Sequence, residues 1–336
     1  MSAATLARAL RAAAGAGLDR LDAQLLLLHA LGRPAHDRAW LLAHDDDALP
    51  DAVRARFDDH VARRAAGEPV AYLVGEKEFH GLALRVDARV LVPRPDTETL
   101  VEWALAVLPP ARPARSADAL GDVAETTAAA NPAEAAGAAA DAAALHEAAA
   151  PSVLDLGTGS GAIALALQRA RPDLRVEAVD ASAGALEVAR DNARRLGLPV
   201  RFRQADWLDG TPIGARDLIV SNPPYIAAGD PHLPALAHEP ASALVAGADG
   251  LDDLRRIVAA APAHLRAGGW LLLEHGHDQA AAVRALLAAH GFVDVASRRD
   301  LAGIERCSGG RRAAPSGLPT GEDLGSATGA AAATVK

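Results

Sequence analysis

Four short stretches of this chain carry residues whose type and spacing suit group transfer. The first is Asp155-Leu156-Gly157-Thr158-Gly159-Ser160-Gly161. Glycines let a backbone pass close beneath a ligand, and a helix starting behind them offers unpaired N–H groups. Such a turn suits dinucleotides and S-adenosylmethionine alike. The spacing Gly-x-Gly-x-Gly, in place of Gly-x-Gly-x-x-Gly, leans toward S-adenosylmethionine, which has no pyrophosphate to cradle. Asp180 ends the next apolar run, where a carboxylate can accept both ribose hydroxyls; the alternative is an N-cap for the following helix. Asp206-Trp207 follows a third run and suits the edge and face of an adenine, although Trp207 also fits an ordinary core position.

The fourth stretch, Asn222-Pro223-Pro224-Tyr225, follows the apolar run Asp217–Ser221. Two prolines have no N–H to donate, so a strand must stop there with an amide side chain at its tip. An amide or exocyclic amine nitrogen is a poor nucleophile because its lone pair is delocalised. Two acceptors, the Asn222 side-chain oxygen and the Pro223 carbonyl, can bind both of its hydrogens and turn the lone pair toward a sulfonium methyl. Tyr225 can stack on the planar group. This chemistry fits glutamine, adenine or guanine equally.

These stretches need a frame that gathers strand ends. Between 151 and 312, strand patterns fall at Val153–Leu156, Val176–Asp180, Val200–Gln204, Leu218–Ser221, Gly269–Glu274, Val293–Ala296 and, weakly, Ile304–Cys307. Helical patterns intervene at Ala162–Ala170, Ala183–Leu196, Asp252–Arg266 and Gln279–Ala289. The alternation predicts a Rossmann-like α/β domain with a seven-stranded, mainly parallel sheet and ligands at the carboxyl ends of its strands.

Upstream, residues 1–75 predict a small helical bundle. Leu6, Leu10 and Ala13 share one face, and Leu21, Leu25, Leu28 and Leu31 share another. Over 76–108, the alternation of Phe79, Leu82, Leu84, Val86, Val90 and Val92 predicts a β-hairpin turning at Val86-Asp87-Ala88-Arg89. A linker helix from Thr99 to Leu108 follows, with Asp96 or Thr97 as its N-cap. Arg94, held between two prolines, is a candidate substrate contact.

Residues 109–150 are Ala-rich with almost no large apolar side chains, which predicts a largely disordered insertion with transient helix over Ala135–Ala150. A disordered tail is expected over 313–336. The insertion also holds the largest share of the net charge of −9, its Arg112 and Arg115 standing against six acidic residues. With no Lys/Arg surplus on the folded parts, direct sequence-specific nucleic-acid binding is not expected. The run Ala23–Leu28 is too short for a bilayer, and Met1–Thr5 does not open an export signal. A cytoplasmic protein with no membrane association is expected. Cys307 is the sole cysteine and the histidines lack ligand spacing, so no metal site is expected.

In order and spacing, these motifs resemble the bacterial release-factor glutamine N5-methyltransferases. The resemblance covers roughly 5–108 and 151–312. It adds Gly67–Gly75 running to Phe79, Leu91–Glu98, Asp230–Leu233, Glu239-Pro240 and Leu273–Gly276 to the stretches above. It implies a class I S-adenosylmethionine-dependent methyltransferase acting on the glutamine of the Gly-Gly-Gln motif in class I peptide chain release factors, with S-adenosylhomocysteine as product. Carried over, Gly157, Thr158, Gly159, Ser160, Gly161, Asp180, Asp206, Trp207 and Asn222 hold the methyl donor. Asn222, Pro223, Pro224, Tyr225 and Arg94 hold the substrate, and Asn222, Pro223 and Tyr225 carry the chemistry. The helical domain would help grip the release factor.

Two features depart from the family pattern, the insertion and a shorter loop between Tyr225 and Glu239. The nearest alternatives are the sister enzyme for a ribosomal-protein glutamine and a DNA adenine N6-methyltransferase. Pro95-Asp96-Thr97-Glu98 favours the release-factor type by resemblance, and the charge balance disfavours DNA. A nicotinamide oxidoreductase or a non-catalytic donor-binding protein would have no use for the Asn222–Tyr225 acceptor group.

Overall fold

The computed structural model describes residues 5–110 and 150–314. The expected disorder of the insertion and tail therefore falls almost wholly outside the described residues. Helices α1 (Leu6–Gly15), α2 (Arg20–Ala30), α3 (Arg38–Ala43), α4 (Asp51–Ala65) and α5 (Val70–Val74) open the chain. Thr5 and Asp19 cap the first two, accepting the N–H groups of Arg8 and Asp22. Their shared core holds Leu6, Leu27, Leu41 and Phe57.

The stripe expected on α2 is displaced. Ala23, Leu26, Leu27 and Ala30 are buried, whereas Leu21 is 48% exposed. Leucine occupies every position from 25 to 28, so helical spacing alone selects no face. The helix is gripped by α1, α4 and α5, and small Ala23 and Ala30 let those neighbours approach.

The hairpin also differs from expectation. Strands β1 (Glu76–Phe79) and β2 (Leu82–Arg85) pair antiparallel, with Phe79 opposite Leu82, so the turn is His80-Gly81 and not Val86–Arg89. Both turn residues have positive φ, 48° and 76°, the geometry a two-residue hairpin requires; histidine concealed that signal. Two carboxylates hold the turn: Glu78 accepts the Gly81 N–H and Glu98 accepts that of His80.

A single 3₁₀ turn, Pro95–Thr97, leads into α6 (Glu98–Val107). Neither expected cap forms: Thr97 occupies the N-cap position without a capping hydrogen bond.

The second layer is a seven-stranded sheet. Its strands are β3 (Ser152–Leu156), β4 (Arg175–Asp180), β5 (Arg201–Gln204), β6 (Arg216–Ser221), β7 (Leu265–Glu274), β8 (Phe292–Arg299) and β9 (Glu305–Arg312). Helices α7 (Ala162–Ala170), α8 (Ala183–Leu196), α9 (Asp252–His264) and α10 (Ala280–Ala289) connect them. The order is β5-β4-β3-β6-β7-β9-β8, parallel except for β9, which runs antiparallel to both neighbours.

Successive residues of the central strands serve opposite faces. Val153, Leu218 and Val220 pack with α6 and α7, while Leu154, Ile219 and Leu271 pack with α9 and α10. The strand order reverses between β3 and β6, the position where doubly wound sheets open a ligand crevice. Ser221 pins the two strand ends there, its hydroxyl donating to the Leu156 carbonyl at 2.7 Å.

Two boundaries moved. β7 begins at Leu265 rather than Gly269, with a register shift between Arg216 and Leu218 of β6 absorbing the extra length. β9 extends to Arg312 through Gly309-Gly310, residues of low strand propensity. Glycine is needed there because a Cβ on Gly309 would meet Leu272 at 2.4 Å and the Trp103 ring at 3.2 Å.

Candidate active site

A cavity of about 290 Å³ opens at the β3/β6 reversal. Gly157, Thr158, Gly159, Ser160, Asp180, Asp206, Trp207, Asn222, Pro224 and Arg94 of the predicted site all line it. Asp155, fully buried beneath the glycine turn, shapes one wall. Its carboxylate accepts the Thr158 hydroxyl at 2.7 Å and the Ala164 N–H at 3.2 Å, folding the turn back onto the start of α7. Burial raises its pKa to about 7, and those two hydrogen bonds oppose the rise.

Gly157 has φ 68°, and a Cβ there would lie 3.2 Å from the Trp207 ring, so indole and turn are in near contact. Gly161, the N-cap of α7, has φ 86° and would drive a Cβ into Leu165.

Asp180 points into the cavity from the tip of β4. One oxygen accepts the Gly159 N–H at 2.9 Å and the other the Ser182 N–H at 2.8 Å. The helix-cap alternative does not apply, since Ser182 caps α8 by accepting the Ala185 N–H. Each carboxylate oxygen retains a lone pair, and burial raises the group's pKa.

Trp207 sits in the left-handed region at φ 49°, and its indole N–H donates to Asp253 at 3.1 Å. Asp253 was not foreseen: at the start of α9 it reads as an ordinary acidic first turn. Its pKa is raised by burial and lowered by the Trp207 hydrogen bond. Asp206 is turned outward, pairing with Arg256 at 2.7 Å and about half exposed.

The opposite wall is assembled from distant segments. Asn222 donates through Nδ2 to the Thr97 hydroxyl at 3.2 Å, which explains why Thr97 does not cap α6. Among the described residues, neither Asn222 Oδ1 nor the Pro223 carbonyl accepts a hydrogen bond. Tyr225 reaches Glu274 with its hydroxyl at 3.4 Å, and its carbonyl accepts from Gln279 at 3.0 Å. Burial and then the Glu274 charge push the Tyr225 phenol well above its ordinary pKa, so it stays protonated.

Arg94 is not a free guanidinium. It donates to Glu239, which also accepts the Val92 N–H at 3.0 Å, tying the loop after Tyr225 to the linker. Arg94 lines both this cavity and a wider cleft of about 810 Å³ shared with Leu21, Leu25, His29 and Leu236. Thr97, Asp253, Glu274 and Gln279 are the site residues that sequence reasoning missed.

The fold and site define a class I methyltransferase. Residues 136–299 match the family model "Methyltransferase small domain", and residues 3–75 match "PrmC N-terminal domain". The release factor glutamine methyltransferase of Burkholderia pseudomallei is 48% identical over 92% of this chain and 97% of its own length. The Bordetella pertussis protein of the same name is 48% identical over 88% and 95%, and that of Xylella fastidiosa strain Temecula1 is 47% identical over 90% and 97%. The chain belongs to the release factor glutamine methyltransferase family.

Proposed function

We propose that this protein transfers the methyl group of S-adenosylmethionine to the side-chain amide nitrogen (N5) of the Gly-Gly-Gln glutamine in class I peptide chain release factors. S-adenosylhomocysteine is the other product, and no metal takes part. The observation that carries the reading is the pair of free acceptors, Asn222 Oδ1 and the Pro223 carbonyl, at the mouth of a cavity whose other wall is the glycine turn.

The chain's own groups fit the donor. Asp180 keeps lone pairs for two ribose hydroxyls, Trp207 offers a ring face, and the turn lacks the Cβ that would meet that ring. The donor supplies an electrophilic sulfonium methyl. Asn222 and Pro223 bind the two amide hydrogens and aim the nitrogen lone pair, and Tyr225 covers the amide plane. No base is needed beforehand, because the nitrogen becomes acidic once it has gained the methyl group.

The cleft beside the helical bundle adjoins the cavity at Arg94, which suits a protein loop reaching inward. Residues 1–75 are proposed to grip the release factor, and 151–312 to form the catalytic domain. No helix among the described residues is long and apolar enough to cross a membrane, in keeping with a cytoplasmic site of action.

The test is incubation with labelled methyl donor and, separately, release factor, ribosomal subunits and DNA, followed by peptide mapping. Label on the Gly-Gly-Gln glutamine is expected. Label on a ribosomal-protein glutamine or on DNA alone would overturn the assignment.

A further inference from the structure

Glu274 ends β7 behind the Asn222–Tyr225 turn, 1% exposed, and the methyl transfer described above makes no direct use of it. We propose that Glu274 is a positioning residue: accepting from the Thr97 and Tyr225 hydroxyls, its carboxylate fixes which end of the Asn222 amide faces the reacting nitrogen. The proposal rests on the methyl-transfer reading.

Thr97 is a hydrogen-bonding partner of Glu274 on one side and of Asn222 on the other. A hydroxyl has one proton and two lone pairs, while a carboxylate can only accept. The Thr97 proton therefore goes to Glu274, whose Oε2 has no other well-aligned partner. Thr97 is left able only to accept, so Asn222 must turn Nδ2 toward it and Oδ1 toward the cavity. The reversed amide would set an NH₂ against the substrate NH₂, donor against donor, and the nitrogen lone pair would not be freed. On its other side Glu274 accepts from Tyr225 Oη, which orients that ring.

Glu274 is surrounded from several elements. Asp96 and Thr97 face it from the turn before α6, Tyr225 from beyond β6, and Arg306 from β9, with Cys307 its sheet partner. Burial is the main influence on the carboxyl and raises its pKa to about 7; Thr97 lowers it, Asp96 raises it, and Arg306 and Tyr225 lower it. The directional chain is complete once the carboxyl is ionised.

The experiment measures kcat, KM and calorimetric donor affinity for Glu274→Gln, Thr97→Val and Thr97→Ser beside the wild type, with melting curves to confirm folding. Glutamine is near-isosteric but brings a donor, and valine removes the hydroxyl at similar shape. Each is expected to lower kcat about 10²-fold, the scale of a misplaced reacting group, with donor affinity within about threefold. Thr97→Ser keeps the hydroxyl and should hold kcat within about threefold. The double variant Glu274→Gln/Thr97→Val should lose little beyond either single change, as members of one chain do. The wild-type kcat should rise with pH through about 7, and the Glu274→Gln profile should be flat there.

A second measurement does not depend on turnover. Exchange of the Asn222 side-chain amide protons, followed by NMR, should be slow in the wild type and faster in Glu274→Gln. Unchanged kcat in folded Glu274→Gln and Thr97→Val, or unchanged Asn222 exchange, overturns the positioning role. A wild type inactive on release factor whose Asn222 exchange still responds to Glu274 overturns the substrate reading and leaves the hydrogen-bond chain standing.

Discussion

Asp155 beneath the glycine turn and Glu274 behind the Asn222 turn are both buried carboxyls with pKa values raised to about 7, yet they brace their loops differently. The partners of Asp155, Thr158 and Ala164, lie within the same strand-turn-helix segment. Those of Glu274, Thr97 and Tyr225, come from the linker before α6 and the loop after β6. The donor half of the site is thus shaped locally, while the acceptor half exists only when the linker, β6 and β7 are docked. Damage to the donor half should appear as weaker donor binding, and damage to the acceptor half as slower turnover.

The sharpest way to break this division is Asn222→Ala, expected to lower kcat by at least about 10²-fold while donor affinity stays within a few-fold. A kcat near that of the wild type would remove Asn222 from its role. Asp180→Ala is the opposite probe. It deletes charge-assisted hydrogen bonds worth about 1.5–3 kcal/mol each, so calorimetry should show donor Kd rising about 10- to 100-fold. Trp207→Ala removes one stacking face, worth about 1–3 kcal/mol for a base, and should weaken donor binding about tenfold. An unaltered donor Kd in either variant would place the donor elsewhere.

A smaller effect concerns stability against pH. A carboxyl whose pKa rises on folding binds its proton more tightly in the native chain. Its contribution is full below the unfolded value near 4 and is lost as pH rises through about 7. The denaturation midpoint should therefore fall between pH 5 and 8 on account of these two groups, and less steeply in Asp155→Asn. An identical slope in that variant would contradict the assignment for Asp155. Least affected should be Arg256→Ala. Its pair with Asp206 is exposed and worth about 0–1 kcal/mol, so donor Kd should change by little more than about twofold.

The same contrast explains what could be read before the structure. Gly157–Gly161 is a contiguous pattern whose geometry follows from glycine itself, and Asp180 lies at the fixed strand spacing of an α/β unit. Asn222–Tyr225 announced its chemistry but not its supports. Thr97 looked like a helix cap because its neighbours Asp96 and Glu98 suit a helix start, and only the fold brings it to Asn222, 125 residues away. Asp253 and Gln279 were hidden in the same manner, each occupying an ordinary helix-start position. The sheet was legible from hydrophobic runs, whereas Gly309-Gly310 concealed the length of β9 and His80 concealed the hairpin turn. In both places close packing or a local carboxylate, not propensity, decided the structure.

The arginines at the far end of the sheet bear on protein engineering. Arg171 donates to the Pro109 carbonyl at 2.9 Å and Arg175 to the Ala150 carbonyl at 3.3 Å, so the chain leaves after α6 and returns before β3 at two neighbouring clamps. These lie where the strands begin, opposite the end that carries the cavity. Whatever joins the clamps can be shortened to a few residues or exchanged for a fluorescent or affinity module with little strain on either wall of the site. The fold thus carries a ready port for a reporter within its own catalytic half.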